Sequence, residues 1–348
     1  MSGHEPQIKI SIPAAASRLL GALRRAGFEA YVVGGCVRDS LLGRTPGDWD
    51  ICTSARPEQV RTVFSAYRQI LTGEKHGTVA VIVGGTPYEI TTYRVDGQYH
   101  DSRHPDAVQF VPQVQPDLAR RDFTINAMAY APGEGLIDLY GGRSDLHACL
   151  MRCVGDPEER FAEDALRILR AVRLAAQLDF ALEEATERAA LDMRQSIQNI
   201  SAERIYTELD KLLAAPAAGK VLSRYGRILA GAVPEIEPCI GCTQPGRWHC
   251  YDVWQHTAWR WNCWMWRAWT IKMPAFCGGV FFCMIWPSRN AAPSARTARR
   301  ISPATTRPEV KWRAASCCGS RRLLILWKAP ARWLLSTMVP CPAMMPAS

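Results

Sequence analysis

The stretch from Gly34 to Val60, GGCVRDSLLGRTPGDWDICTSARPEQV, joins one buried strand to a short helix and leads on to a second strand and helix. Just upstream, Ala30 to Val33 is an unbroken apolar run of strand length, and Gly34-Gly35 ends it. Cys36 to Leu42 follows at once as a short helix. A strand, a turn without side chains and a helix N-terminus leave backbone N–H groups and the positive end of the helix dipole facing a common space. A phosphate chain can lie there, with Arg38 as an added charge. A tight turn without a ligand is the alternative. Trp49 to Cys52 reads as the next strand, so alternation sends Asp48 and Asp50 to one face, close together. Two such carboxylates repel each other unless a cation lies between them, which suits Mg²⁺ shared between carboxylate and phosphate oxygens. A solvated acidic loop end is the other reading of the pair.

Working outward, Pro13 to Gly27 carries Leu19, Leu20 and Leu23 at helical spacing, and Gly27 supplies a stop. Pro57 to Tyr67 is predicted as a helix with proline in its first turn. Val79 to Val83 and Tyr88 to Thr92 form a predicted hairpin around Gly84-Gly85, which brings in Glu89 as a third candidate acid. From Asp156 to Leu213 the pattern is almost wholly helical. The expected architecture is an α/β head with a mixed sheet over residues 1–145, an all-helical body over 146–258, and an irregular tail over 259–348.

Composition marks the same last boundary. The formal net charge is +9, yet 14 of the 42 Lys/Arg and only one of the 33 acids, Glu309, lie from Trp259 onward. The rest of the chain is slightly acidic, so overall charge is no argument for a nucleic-acid partner. Nine of the 12 Trp and six of the 13 Cys also fall in the tail. Met1 to Ile10 is too polar for a signal peptide, and the most apolar run, Met273 to Trp286, is shorter than the roughly 20 residues of a membrane helix. These features predict a cytoplasmic protein with reduced thiols and no membrane association. Cys239 and Cys242, followed by His249 and Cys250, are zinc-ligand types without a second CxxC to complete them.

The stretch from Gly34 to Val60 resembles the signature of polymerase beta-like nucleotidyltransferases, as found in bacterial CCA-adding enzymes and poly(A) polymerases. Further likenesses follow in the same order: GEKHGT at Gly73 to Thr78, YEITTYR at Tyr88 to Arg94, and RRDFTINAMAY at Arg120 to Tyr130. GDPEERFAEDALRILRAVRLA at Gly155 to Ala175 and ISAERIYTELDKLL at Ile200 to Leu213 complete the series, which covers about residues 15–258. The resemblance implies template-independent addition of CCA to the 3′ end of tRNA from CTP and ATP. The implied chemistry is two-metal nucleotidyl transfer with release of pyrophosphate. It assigns Mg²⁺ to Asp48 and Asp50, with Glu89 as the third catalytic acid, and the triphosphate to Gly34, Gly35 and Arg38. Arg121, Asp122 and Asn126 would border ribose and phosphates.

On spacing alone, Asp164 and Arg167 would be an i, i+3 surface ion pair. The resemblance instead makes them an acceptor and a two-pronged donor that imitate a Watson–Crick partner for cytosine and adenine. Trp49 stands where the family usually has an aliphatic residue, a difference of packing. Poly(A) polymerases share the head, so polyadenylation is the rival activity. GEKHGT favours CCA addition, as does YDVWQHTA at Tyr251 to Ala258, which resembles the start of an HD-type helical domain with His256 as its first histidine. A rival of another class is a non-catalytic RNA-binding remnant of a frameshifted gene.

Beyond Ala258 the likeness stops, and the tail has the composition of a GC-rich gene read out of frame. Joining the third base of each codon to the first two of the next tests this idea. Trp261-Asn262 then forces Glu, Asn262-Cys263 and Cys263-Trp264 each force Leu, and Trp264-Met265 forces Asp. Further on, Phe282-Cys283 forces Leu, Cys283-Met284 allows His or Tyr, Met284-Ile285 forces Asp, and Trp286-Pro287 forces Ala. Leu-His-Asp-(Met/Leu)-Ala resembles the missing HD motif, and Pro303 to Thr305 permits the Gly-His pair usual after it. As it stands the tail lacks a periodicity that could dock on the body, so poor packing is expected beyond about residue 259.

Overall fold

Leu19, Leu20 and Leu23 form the buried face of the first helix, α1 (Ala14–Arg25), and pack it on the sheet that begins with β1 (Ala30–Val33). All four residues of β1 are buried, as expected of an apolar run in the middle of a sheet covered on both faces. The computed structural model describes residues 8–97, 108–243 and 251–270. Contacts divide the chain at Met273, and only the first unit contains described residues. The zinc-ligand types His249 and Cys250, the tail from residue 271 and its shifted-frame motif lie outside them.

After β1 come α2 (Gly35–Leu41), β2 (Ile51–Thr53), α3 (Pro57–Val63), β3 (Arg68–Ile70), β4 (Thr78–Val83) and β5 (Thr86–Thr92). β6 (Arg94–Asp96) and β7 (Val108–Phe110) pair with each other, and α4 (Val114–Ala119), β8 (Met128–Ala131), β9 (Gly135–Asp138) and α5 (Gly142–His147) complete the head. The main sheet has the order β3-β4-β5-β2-β1-β8-β9, antiparallel except for the parallel pair β2 and β5. It is the mixed sheet anticipated from the sequence. In the parallel pair Ile51 sits opposite Ile90, so Asp50 and Glu89, each one residue earlier, arrive at the same end of adjacent strands.

Of the element boundaries that differ from the sequence reading, those of β2 and α3 bear on the site. β2 begins at Ile51, so Asp48 and Asp50 lie just ahead of the strand rather than within it, although the Asp50 carbonyl still accepts from Val33 N–H at 3.0 Å. α3 ends at Val63 instead of reaching Tyr67. The Gln69 side chain donates to the Phe64 carbonyl at 2.7 Å and to the Arg61 carbonyl at 3.1 Å, which satisfies the helix end while the chain turns into β3.

β10 (Leu150–Met151) leads into the body: α6 (Pro157–Glu163), α7 (Leu166–Leu178), β11 (Ala181–Leu182), α8 (Glu184–Asp192), α9 (Ala202–Leu213), α10 (Ala218–Leu229) and α11 (Val253–Thr270). The short parallel pair β10–β11 is an addition to the all-helical expectation. α7 is buried around most of its circumference and carries the buried ion pair Arg173–Glu208 to α9. Between α10 and α11 the backbones come close, since a Cβ at Gly226 would stand 2.2 Å from Trp254 Nε1. That indole N–H donates to the Leu222 carbonyl at 2.8 Å. α11 runs on to Thr270, and Trp261, past the expected boundary, is buried with its indole N–H on the Leu213 carbonyl at 3.2 Å. Among the described residues no helix is long and apolar enough to cross a membrane.

Candidate active site

Asp50 and Glu89 stand at the same end of the adjacent strands β2 and β5, and Asp48 lies two residues ahead of Asp50. Asp48 and Glu89 are exposed and Asp50 is half-buried. Burial first, then the negative charges of Asp48 and Glu89, push the Asp50 carboxyl up from its ordinary 3.8 to about 6, against the opposing pull of Arg121. Among the described residues no group of three His, Cys, Asp or Glu side chains closes round one point, as a self-contained protein cage would. A hard divalent cation held through one or two carboxylates, with phosphate and water oxygens filling its remaining positions, fits this donor set.

The glycine turn borders the acids. Gly34 has φ +81°, a conformation L side chains rarely adopt, and a Cβ there would stand 3.3 Å from Arg121 Nη1. Glycine is thus favoured by the backbone, and a side chain there would also make the guanidinium shift by a few tenths of an ångström. The Gly34 N–H is taken by the Met128 carbonyl at 3.2 Å, which corrects the expectation that it is free. The first turn of α2, beginning at Gly35, remains as the part of the turn that can face an anion.

A chain of charged hydrogen bonds runs from this turn into the body. Arg38 Nε and Nη2 both reach Asp39 Oδ1 at 2.8 Å, and Arg38 Nη1 donates to Asn126 Oδ1 at 2.8 Å. Asn126 Nδ2 donates to Asp122 Oδ1 at 3.2 Å. Arg170 then clasps Asp122 Oδ2 through Nε at 3.0 Å and Nη2 at 2.6 Å. Burial alone would raise the Asp122 carboxyl, but Arg170 and Asn126 outweigh it and hold it at about 2. Arg121 is anchored from behind by fully buried Asp117, whose Oδ2 lies 3.2 Å from its Nη2, while its buried Nε has no partner.

Further along, Asp164 sits in the break between α6 and α7, with φ −145°, rather than inside one continuous helix. Its Oδ1 accepts from Leu166 N–H at 3.0 Å, capping α7, and its Oδ2 accepts from Arg204 of α9 at 2.8 Å. Arg167, in the first turn of α7, pairs with Glu163 and donates to the carbonyls of Arg160 at 3.1 Å and Arg120 at 3.2 Å. The ionic partners of Asp164 and Arg167 are therefore other residues, contrary to the surface ion-pair alternative. Each side chain is held from one side by a separate neighbour.

The head matches the family described as "Poly A polymerase head domain" over residues 30–152, and residues 179–237 match "Probable RNA and SrmB- binding site of polymerase A". A CCA-adding enzyme of Leuconostoc mesenteroides is 47% identical over 207 residues, 60% of this chain and 51% of the relative. One from Lactobacillus helveticus is 52% identical over 198 residues, 57% of this chain and 49% of the relative. The crystal structure of the Bacillus stearothermophilus CCA-adding enzyme in complex with CTP matches with a TM-score of 0.58 at 34% identity, covering 78% of this chain and 68% of that one. The chain belongs to the CCA-adding enzyme and poly(A) polymerase family. It spans about half the length of the curated relatives it matches.

Within this family framework, the sequence reading named Asp48, Asp50, Glu89, Gly34, Gly35, Arg38, Arg121, Asp122, Asn126, Asp164 and Arg167. The structure sets Asp50 and Glu89 at one end of adjacent strands with Asp48 two residues ahead, links Arg38, Asn126 and Asp122 in one chain, and sets Arg121 between Gly34 and Asp117. Sequence reasoning missed Asp117, Arg170 and Arg204. Arg170 lies three residues beyond Arg167 in the same helix, so an i, i+3 continuation of the basic face was the available signal. Asp117 stands three and four residues before Arg120 and Arg121, so its spacing was an available signal, whereas Arg204 gave none because its partner lies on another element. Of the zinc candidates, Cys239 and Cys242 are free thiols, and Cys239 Sγ reaches the Glu235 carbonyl at 3.5 Å.

Proposed function

We propose that this protein adds C, C and A in turn to the 3′ end of tRNA in the cytoplasm, using CTP and ATP and releasing pyrophosphate. The observation that carries the proposal is the placement of Asp50 and Glu89 at one end of the β2–β5 pair, with Asp48 two residues ahead, next to the strand that ends in the glycine turn. From there a continuous polar chain of Arg38, Asn126, Asp122 and Arg170 leads toward Asp164 and Arg167. Asp48 and Asp50 would hold Mg²⁺, which when bound supplies Lewis-acid charge to the reacting phosphate and hydroxyl. Asp50, titrating at about 6, is ionised at neutral pH and so able to serve. Arg38 and Arg121 would neutralise the triphosphate, the first turn of α2 would receive one of its oxygens, and Asn126 would orient the ribose side. Asp122 carries a fixed negative charge that positions Arg170 and Asn126. Asp164 and Arg167, held by Arg204 and Glu163, would present a fixed acceptor and a planar donor to the base edge.

Polyadenylation is the second reading, favoured by the family description of the head itself. The test is incubation of the purified chain with tRNA lacking its CCA end, Mg²⁺ and each nucleotide in turn. Stepwise use of CTP then ATP is the expected result, abolished in Asp48→Ala with the fold retained. Extension from ATP alone would favour polyadenylation. RNA binding without incorporation would leave the non-catalytic reading.

A further inference from the structure

The Trp- and Cys-rich composition of the tail and the buried Trp261 of α11 have a common explanation. Codons for Trp and Cys both begin with TG. Read one base earlier, every codon that straddles a residue and a following Trp or Cys is NTG, which encodes only Leu, Met or Val. The nine Trp and six Cys from Trp259 onward thus all become aliphatic in that frame. Acids return as well. Trp261-Asn262 requires Glu, and Trp264-Met265, Trp269-Thr270 and Met284-Ile285 each require Asp, where the tail as it stands has Glu309 alone. Aliphatic residues interleaved with acids are the composition of a packed helical body, and the observed tail is what such a segment becomes when displaced by one base.

Burial along α11 is a separate observation that agrees. Among the residues of α11 whose burial is described, Trp254, Thr257, Ala258 and Trp261 are buried, and their spacing of three and four places them on one helical face. That face packs on α10 and reaches the end of α9 through the Leu213 carbonyl. One base earlier, position 261 carries Leu, Met or Val, position 264 in the next turn of the face carries Leu, and exposed position 260 carries Ala or Glu. The burial of Trp261 marks this position as an apolar site on the face, and the residue required there by the other frame is apolar too.

We infer that one base is missing from the coding sequence near the codon for Ala258, and that the native continuation of α11 is the amphipathic helix of the other frame, docked on α10 and the end of α9. The proposal rests on codons and burial, not on catalysis, so it stands or falls independently of the proposed activity. Reading the coding DNA is the first test: the other frame should be open from codon 259 through codon 305, and a stop codon within that span overturns the inference. The full chain is then expressed in both frames and digested briefly with trypsin. Cleavage beyond position 258 should be at least about tenfold slower in the restored chain, because a docked helix must open before it is cut. In the restored chain, an Asp introduced at position 261 should abolish that protection. Equal cleavage of the two chains, an insoluble restored chain, or protection that survives the Asp would each overturn it.

Discussion

Replacing Asp50 by Asn should stabilise the metal-free protein above about pH 6 while abolishing nucleotide transfer. Burial, then Asp48 and Glu89, raise the Asp50 carboxyl from 3.8 in its ordinary state to about 6 in the folded chain. Because the folded value lies above the unfolded one, the folded state keeps a proton between about pH 4 and pH 6 that the unfolded chain has already released. Stability therefore falls as pH rises through that window and stays lowered above it. A shift of about two pH units corresponds to about 3 kcal/mol, and water and salt in a half-exposed cleft reduce the recoverable part to about 1–2 kcal/mol. Asn keeps the shape and removes the charge, so the variant should melt about 3–6 °C higher at pH 7–8. Urea and thermal unfolding of both proteins in chelator, from pH 4 to pH 8, check this: the two should converge near pH 4 and separate toward pH 7. Saturating Mg²⁺ should narrow the gap by stabilising only the wild type. A stability difference independent of pH, or a less stable variant at pH 8, would refute the reasoning.

Base choice should depend on the pair held by Arg204 and Glu163. The double variant Asp164→Ala, Arg167→Ala should change the relative use of CTP, ATP, GTP and UTP more than it changes the Mg²⁺ requirement, read by single-nucleotide incorporation. An unchanged preference would count against their role. Asp122→Asn should lose about 1 kcal/mol near neutral pH, because it strands the Arg170 guanidinium, which water can partly serve since that side chain is 36% exposed. Asp122 is held at about 2, so its contribution is present above its unfolded pKa near 4 and lost as pH falls toward 2. Unfolding curves of variant and wild type should converge in that acid range.

Much of the head was legible because its signals are local. An apolar run of strand length ended by Gly34-Gly35, a helix beginning with Pro57 and a Gly84-Gly85 hairpin each depend on neighbours a few residues away, and each was found near its predicted place. The hairpin glycines take φ +59° and +84°, as the turn requires. Alternation also brought Asp48 and Asp50 together for nearly the right reason. The strand starts two residues later than the pattern suggests, so both acids lie in the segment leading into it.

What the sequence by itself determined was the order of elements, the acids beside the glycine turn and the break in character after Ala258. Each follows from residue type at short range, from steric limits on backbone angles, or from codon constraints that no fold can alter. Only the tertiary structure decided which residues hold the candidate catalytic ones. Arg170 clasps Asp122 across 48 residues, and Arg204 reaches Asp164 across 40. Such pairs depend on how α7 and α9 pack, and helix packing is governed by the shape of whole apolar faces rather than by the charged residues at their margins. The register of β2 against β5, which sets Glu89 beside Asp50, is likewise a non-local pairing that no periodicity in either strand records.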